Sequence, residues 1–210
     1  MDASAATGRS RDRLYAIVLA AGASTRFGSP KQLVRIGGRP LLHTVVSRAA
    51  DVTGNALIVV LGAGAGELAP LLRHSPGSVV VNRQWREGIA SSIRLGVARL
   101  PPTCTAVMLV LADQAAVTRD DLRRLAGTWR RRPTLIAAAL YAGTTGAPAI
   151  FPRSSFAALA ALRGDHGARA LLRRSADRLV RVPMPSAELD LDTPEDLLTL
   201  APAQPPSRGR

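Results

Sequence analysis

Two groups of residues in this chain have the types and spacing to do chemistry. The first is the run AAGASTRFGSPKQL at 20–33, where a turn of small residues stands directly behind the apolar run LYAIVLA and carries two cations, Arg26 and Lys31. Small residues let backbone N–H groups approach an anion closely, and cations on the same loop deepen the positive field. The matching chemistry is the holding of a polyphosphate. Lys31 is the only lysine among 28 basic residues; a lysine ammonium is a compact point charge that fits against one phosphate oxygen, where the planar arginine fork is wider. The second group is the acid that ends VMLVLAD, Asp113.

Two common phosphate-binding patterns are excluded by spacing. Five residues separate Gly22 from Gly28, and Ser29-Pro30 intervene before Lys31, so the run is not a P-loop. Position 24 is Ser, so it is not the G-x-G-x-x-G of dinucleotide-binding folds either.

The elements that must position these residues follow from hydrophobic pattern. LYAIVLA (14–20), ALIVVLG (56–62), SVVVN (78–82), AVMLVLAD (106–113), TLIAAALY (134–141) and RLVRVPM (178–184) are short runs of mostly apolar residues, as strands buried on both faces should be. Between them the spacing predicts helices over 41–50, 67–73, 87–100, 118–131, 152–164 and 166–174, with Thr118 as a cap followed by acids, and a last helix from the cap Thr193 and Pro194. Strand–helix alternation of this kind predicts a three-layer, Rossmann-like α/β fold with a mostly parallel sheet. In such folds ligands bind beyond the carboxyl ends of the strands, which selects the loop after Ala20 and the acid Asp113. The expected organisation is one domain over 1–210, with an ordered core at about 13–201 and loose tails.

The motifs, taken together, resemble a known family. LAAGASTRFGSPKQL is similar to the L-A-A-G-x-S-x-R-x-G-x-x-K signature of nucleotidyltransferases with the MobA-like NTP transferase fold. NRQWREGIASSIRLG (82–96), LADQ (111–114), GTTGAPAIF (143–151), LRGDHGARALL (162–172) and LDTPEDL (191–197) resemble further family segments in the family's order. GDHGAR together with Asp113-Gln114 points to the molybdenum cofactor cytidylyltransferase branch. Two positions depart from the pattern: Ala115 replaces a Pro, and Ala147 stands where a His often precedes Pro148.

The resemblance implies a reaction in which a substrate phosphate attacks the α-phosphorus of a nucleoside triphosphate, CTP by preference, and pyrophosphate leaves. The acceptor it implies is a phosphorylated small molecule such as molybdopterin, with a molybdoenzyme as a possible recipient of the product. Arg26 and Lys31 are the implied catalytic cations, since alignment and charge neutralisation dominate such chemistry. Leu19, Ala20, Ala21, Gly22, Ala23, Lys31, Asn82, Gly88 and Ser92 are the implied nucleotide-binding residues, with Ser92 alternatively an exposed position on an amphipathic helix. Asp113 and Asp192 match the family's Mg²⁺-binding acids, Asp192 having a helix-capping alternative and Asp190 being a weaker match; Mg²⁺ takes one or two carboxylates plus substrate phosphates. Gly146, Pro148, Asp165 and Arg169 are the implied acceptor-binding residues, with His166 nearby.

Composition narrows the alternatives. The net charge of +13 invites a nucleic-acid reading, but the arginines are dispersed and aromatic residues make up only 3%; the short arginine clusters read as solvated helix faces or, more sharply, as a field that attracts a small polyanion, and no nucleic-acid partner is expected. No 18-residue apolar run and no leader-like segment is present, so no membrane partner and a cytoplasmic location are expected. The single cysteine, Cys104, is expected to be a packing residue. A related guanylyltransferase, with molybdenum cofactor or a phospholactate as acceptor, and a non-catalytic molybdenum cofactor-binding accessory protein stay open as alternatives.

Overall fold

The computed structural model describes residues 13–24, 27, 30–191 and 196. In chain order the elements are β1 (Leu14–Ala20), a ribbon of β2 (Arg35–Ile36) and β3 (Arg39–Pro40), α1 (Leu41–Thr53), β4 (Leu57–Leu61), α2 (Ala65–Leu68), β5 (Ser78–Val81), α3 (Ile89–Ala98), β6 (Ala106–Leu111), α4 (Arg119–Arg131), β7 (Ile136–Tyr141), β8 (Thr144–Pro152), α5 (Phe156–Ala160), α6 (Arg169–Arg174) and β9 (Leu179–Pro183). The sheet has seven strands in the order β5-β4-β1-β6-β8-β7-β9. All pairs are parallel except the two that β8 makes, with β6 and with β7.

The apolar runs of the central strands β1, β4 and β6 are explained by burial on both faces, whereas the edge strand β5 leaves Val79 and Val81 exposed. In β1, Leu14, Ala16, Val18 and Ala20 join a cluster that includes Leu42, Val45 and Val46 of α1 and Leu122, Leu125 and Trp129 of α4. Ile17 and Leu19, on the opposite face, join Ile93 of α3, Leu159 of α5 and Leu172 of α6. Period-two alternation puts successive side chains on opposite faces, so a strand covered twice has no polar position to spare. Gly96 in α3 lets the helix lie close on β1, since a Cβ there would stand 2.9 Å from Ile17 side-chain carbons.

The expected α/β architecture is present, with two local differences. Asp113 is not the last residue of its strand: β6 ends at Leu111, two residues earlier. The motif at 143–151, not read as a strand, forms β8 and enters the sheet antiparallel. Pro148, which has no N–H to give a ladder, sits where the pairing with β7 jumps from Ala138↔Ala149 to Ala139↔Gly146. Proline is tolerated in a sheet at such an irregularity and not in its regular ladder. The bond from Ala147 to Pro148 is cis. The helix expected from Thr193 lies outside the described residues, as do Arg26 and Asp192.

Buried polar groups anchor the segment behind Asp113. The Arg48 guanidinium, on α1, donates to the carbonyls of Ala115 and Val117 at 2.7 Å each. Burial lowers its pKa, opposed by the charge of Asp121. Thr118 and Asp121 form a reciprocal capping box at the start of α4. Burial by itself would raise the Asp121 carboxyl; hydrogen bonds from the Thr118 amide and hydroxyl, Ser186 and Arg124 outweigh it and hold the group below its ordinary value of 3.8. Cys104 is fully buried, and burial pushes its thiol up to about 11, which suits packing rather than reactivity.

Candidate active site

β1 and β6 lie side by side in register as far as Leu19 and Leu111. The chain leaves β1 toward β4 on one side, while β6 stands on the other, so the order of the sheet reverses between them. A crevice opens at such a reversal because the connections on its two sides diverge. Here it is a cleft of about 440 Å³ that includes Ala21, Gly22, Lys31, Trp85, Ser92 and Asp113 in its lining.

The loop after β1 is held from beneath by Gln32, which is 3% exposed. Its Nε2 donates to the Gly22 carbonyl at 3.3 Å, and its Oε1 accepts from the Ser24 hydroxyl at 3.3 Å. The Ser24 hydroxyl oxygen in turn accepts from the Lys31 amide at 3.2 Å, and Ser24 has a positive φ of 52°. Gly62 closes the wall: a Cβ there would stand 2.6 Å from the Ala21 carbonyl oxygen and 2.7 Å from the Trp85 Cβ. At Gly22 a Cβ would meet nothing within 4 Å, and its φ is not positive, so no protein neighbour demands the glycine.

Lys31 and Asp113, 82 residues apart, meet in this cleft. Lys31 Nζ donates to Asp113 Oδ2 at 2.8 Å. The two side chains are 13% and 25% exposed. Asp113 Oδ1 is buried and has no hydrogen-bond partner among the described residues. Two residues expected to serve phosphate and metal separately are thus one ion pair.

A divalent cation fits this donor set. A buried carboxylate oxygen without a donor is what a hard cation takes up, and Mg²⁺ needs few protein ligands when phosphate supplies the rest. Among the described residues no group of three or more His, Cys, Asp or Glu side chains could hold a metal alone. Asp190 is described but joins no such group.

Of the residues expected near the nucleotide, Leu19, Ala20, Ala21, Gly22, Ala23, Lys31, Gly88 and Ser92 line the cleft. Ser92 is 2% exposed, not a surface position of its helix. Asn82 does not line the cleft; it stands behind the wall, donating from Nδ2 to Ser91 Oγ at 2.7 Å and Ser92 Oγ at 2.9 Å. Gly88 has a φ of 94°, and a Cβ there would run into Asp165 Oδ1 and the Gly164 carbonyl. The Ala90 amide donates to the Gly164 carbonyl at 3.1 Å, tying the GDHGAR loop to the start of α3.

That loop builds a second chamber, of about 200 Å³, which shares Ile89, Leu111 and Asp165 with the first. Gly146, Arg169 and His166 line it, whereas Pro148 is buried in the strand beside it. Ile93, Leu109 and Leu172 give it an apolar floor. Three site features were not foreseen from sequence: Gln32, Gln114 and Tyr141. Gln114 is 1% exposed, and its Nε2 donates to the carbonyls of Ala147 and Ala187, at 2.9 and 3.1 Å, so it joins the Asp113 turn to the wall of the second chamber. Its place in the Asp-Gln pair was visible; its two partners, far along the chain, were not.

Residues 16–179 match the MobA-like NTP transferase domain. The chain belongs to that family. Nucleotidyltransferase is therefore the general class of this MobA-like protein, and its seven-stranded sheet is the fold of its structural neighbours. The crystal structure of Rv0371c from Mycobacterium tuberculosis H37Rv is 32% identical, with a TM-score of 0.76 over 90% of this chain and 97% of that one. A complex of the same protein with manganese is 30% identical, with a TM-score of 0.72 over 90% and 97% of the two chains. Nicotine blue oxidoreductase of Paenarthrobacter nicotinovorans is 29% identical over 88% of this chain and 94% of its own length. The bifunctional protein GlmU of Sorangium cellulosum is 31% identical over 56% of this chain, which spans 26% of that relative's length. Among the described residues no helix is long and apolar enough to cross a membrane.

Proposed function

We propose that this MobA-like protein transfers CMP from CTP to the phosphate of molybdopterin or molybdenum cofactor, releasing pyrophosphate. The observation that carries the reading is the Lys31–Asp113 pair, 2.8 Å apart in a cleft that opens into a second chamber. A cation and an acid at a strand reversal suit a triphosphate with its counter-ion; an adjoining chamber suits the molecule that receives the nucleotide.

In this reading an oxygen of the acceptor phosphate forms a bond to the α-phosphorus of CTP. The bond from that phosphorus to the oxygen bridging to the β-phosphorus breaks, and pyrophosphate leaves with the electron pair. The 21–23 backbone holds the phosphates, and Lys31, whose ammonium can donate to more than one anion, neutralises charge as it moves toward the leaving group. Asp113, with Asp192 from beyond the described residues, would hold Mg²⁺, which would supply further neutralisation of the phosphate charge. The manganese complex of the M. tuberculosis relative supports a divalent cation in a related chain. Ser92, held by Asn82, presents a hydroxyl to the base. Gly146, Asp165 and Arg169 face the acceptor, and buried Pro148 shapes the strand beside it. The GDHGAR segment and the apolar floor support an acceptor with an unsaturated ring body.

The nicotine blue oxidoreductase relative, matched over nearly the whole of both chains, favours a second reading, a redox enzyme acting on a nicotine blue-like substrate in the same chambers. One experiment separates them: pyrophosphate release from each of the four nucleoside triphosphates with purified molybdenum cofactor and Mg²⁺. The first reading expects release with CTP well above the others. Release with GTP alone would make the chain a guanylyltransferase. Cofactor binding without release would make it an accessory protein; turnover of nicotine blue in a parallel assay supplied with a two-electron donor or acceptor, with no pyrophosphate release in the first, would favour the second reading.

A further inference from the structure

The second chamber pairs the motif residue Arg169 with a tyrosine that no motif of the sequence drew attention to. Tyr141 ends β7, and the chain turns into β8 through Ala142 and Gly143, whose φ values of 45° and 70° are those of a tight hairpin. The tyrosine lies across Gly146: a Cβ there would run into its hydroxyl and stand 3.0 Å from its Cζ. Gly146 does not have a positive φ, so the room taken by the tyrosine, and not the backbone, requires the glycine. Arg169, at the start of α6, donates from Nη2 to the Tyr141 hydroxyl oxygen at 3.3 Å. Both side chains line the chamber.

A phenol hydroxyl accepts and donates at the same time. With its oxygen accepting from Arg169, the Tyr141 proton is directed to another acceptor. The guanidinium, steadied at one nitrogen, keeps the planar face of N–H donors that suits a phosphate. The apolar floor of Ile93, Leu109 and Leu172 would lie under the organic part of such a ligand.

We propose that Tyr141 is a substrate-contacting residue, forming with Arg169 a single grip for the phosphate monoester of the acceptor. This rests on the reading of the second chamber as the acceptor side. Tyr141 donates its own O–H to the phosphate and fixes the guanidinium that shares the load. A tyrosine present only to pack on Gly146 would be replaced by phenylalanine without consequence.

The test is calorimetric titration of the full chain with phenyl phosphate, an aryl phosphate monoester small enough for the chamber. The parent should bind it, and Tyr141→Phe, which keeps the ring over Gly146, should bind at least about tenfold more weakly. Arg169→Lys, at an exposed position, should lose a similar factor, and the double variant little more than either single one, since the two groups act as a unit. Lys31→Ala should leave phenyl phosphate affinity unchanged. Equal affinity in the parent and Tyr141→Phe overturns the proposal, as does no binding to the parent. A loss in Lys31→Ala in place of Tyr141→Phe also overturns it, because the probe then sits in the nucleotide cleft. None of these outcomes depends on nucleotidyl transfer: pyrophosphate release can fail with every acceptor while the titration still decides the grip.

Discussion

The two chambers of this protein are built by different means. The first cleft is made at the ends of two central strands, from the backbone of 19–24, the Lys31–Asp113 pair and side chains of the 85–92 segment. Its geometry is inherited from the sheet: β1 and β6 cannot shift without breaking the ladder that holds Leu19 beside Leu111. The second chamber is lined by residues of β6, β7 and β8 and the start of α3, and is completed by the 165–168 loop and the short helix α6, which bring Asp165, His166 and Arg169 to it. The first region is suited to a ligand part common to every nucleotide, the phosphates. In the second, side chains of the 165–168 loop and α6 can change without disturbing the sheet, which leaves that side of the chamber the freer to vary.

If that division is right, substitutions at the cleft should strike turnover whatever the acceptor. Asp113→Asn removes a negative oxygen and keeps the shape; kcat should fall by at least about two orders of magnitude, with thermal stability little changed. Near-normal kcat in Mg²⁺ would remove Asp113 from the site. Lys31→Ala should lose roughly 3–4 kcal/mol of transition-state stabilisation, read from kcat/KM. Lys31→Arg should also lose much of its activity although charge is conserved, because the wide fork replaces a compact ammonium that is only 13% exposed. Parent-like kcat in Lys31→Arg would reduce its role to generic charge.

Ser92→Ala sharpens the comparison from inside the cleft. Asn82 would still donate to Ser91, so the wall should hold and the effect should fall on the base. KM for CTP should rise, and the gap to other nucleotides should narrow by about 1–3 kcal/mol. An unchanged nucleotide profile would place the hydroxyl outside the base site.

The smallest effect is expected away from both chambers. Asp121→Ala removes the capping box and the partners of Ser186 and Arg124, costing about 1 kcal/mol of stability by thermal melting with kinetics unchanged. The folded carboxyl lies below its ordinary value of 3.8, so its contribution is full above about that pH and is lost as pH falls below it. The parent should therefore lose its advantage over Asp121→Ala on acidification below about pH 4. A constant difference across that window would show that the carboxylate's charge is not what stabilises α4.

Much of the cleft was legible from the chain because its residues follow directly on continuous apolar runs, and a strand buried on both faces announces itself. The loop after Ala20 and the acid at 113 were found that way. The ion pair was not legible: Lys31 and Asp113 are 82 residues apart, and only the parallel pairing of β1 with β6 brings them together. Gln32 reads as an ordinary polar residue, since the carbonyls it holds carry no sequence signal. β8 was obscured by Gly146 and Pro148, both poor strand residues; one makes room for Tyr141, and the other sits at an irregularity in the ladder. Tyr141 was read as the end of a strand, and its partner Arg169 was known only as a motif position.

In the proposed function the cleft holds the nucleotide while the adjoining chamber holds the molecule that receives it. Turnover of CTP labelled at the α-phosphate, with molybdenum cofactor as acceptor, tests it most directly. The account predicts that the label passes to the acceptor, that one pyrophosphate appears per label transferred, and that both disappear together in Asp113→Asn. Label that stays in free CMP, or acceptor that remains unlabelled while nucleotide is consumed, would contradict it.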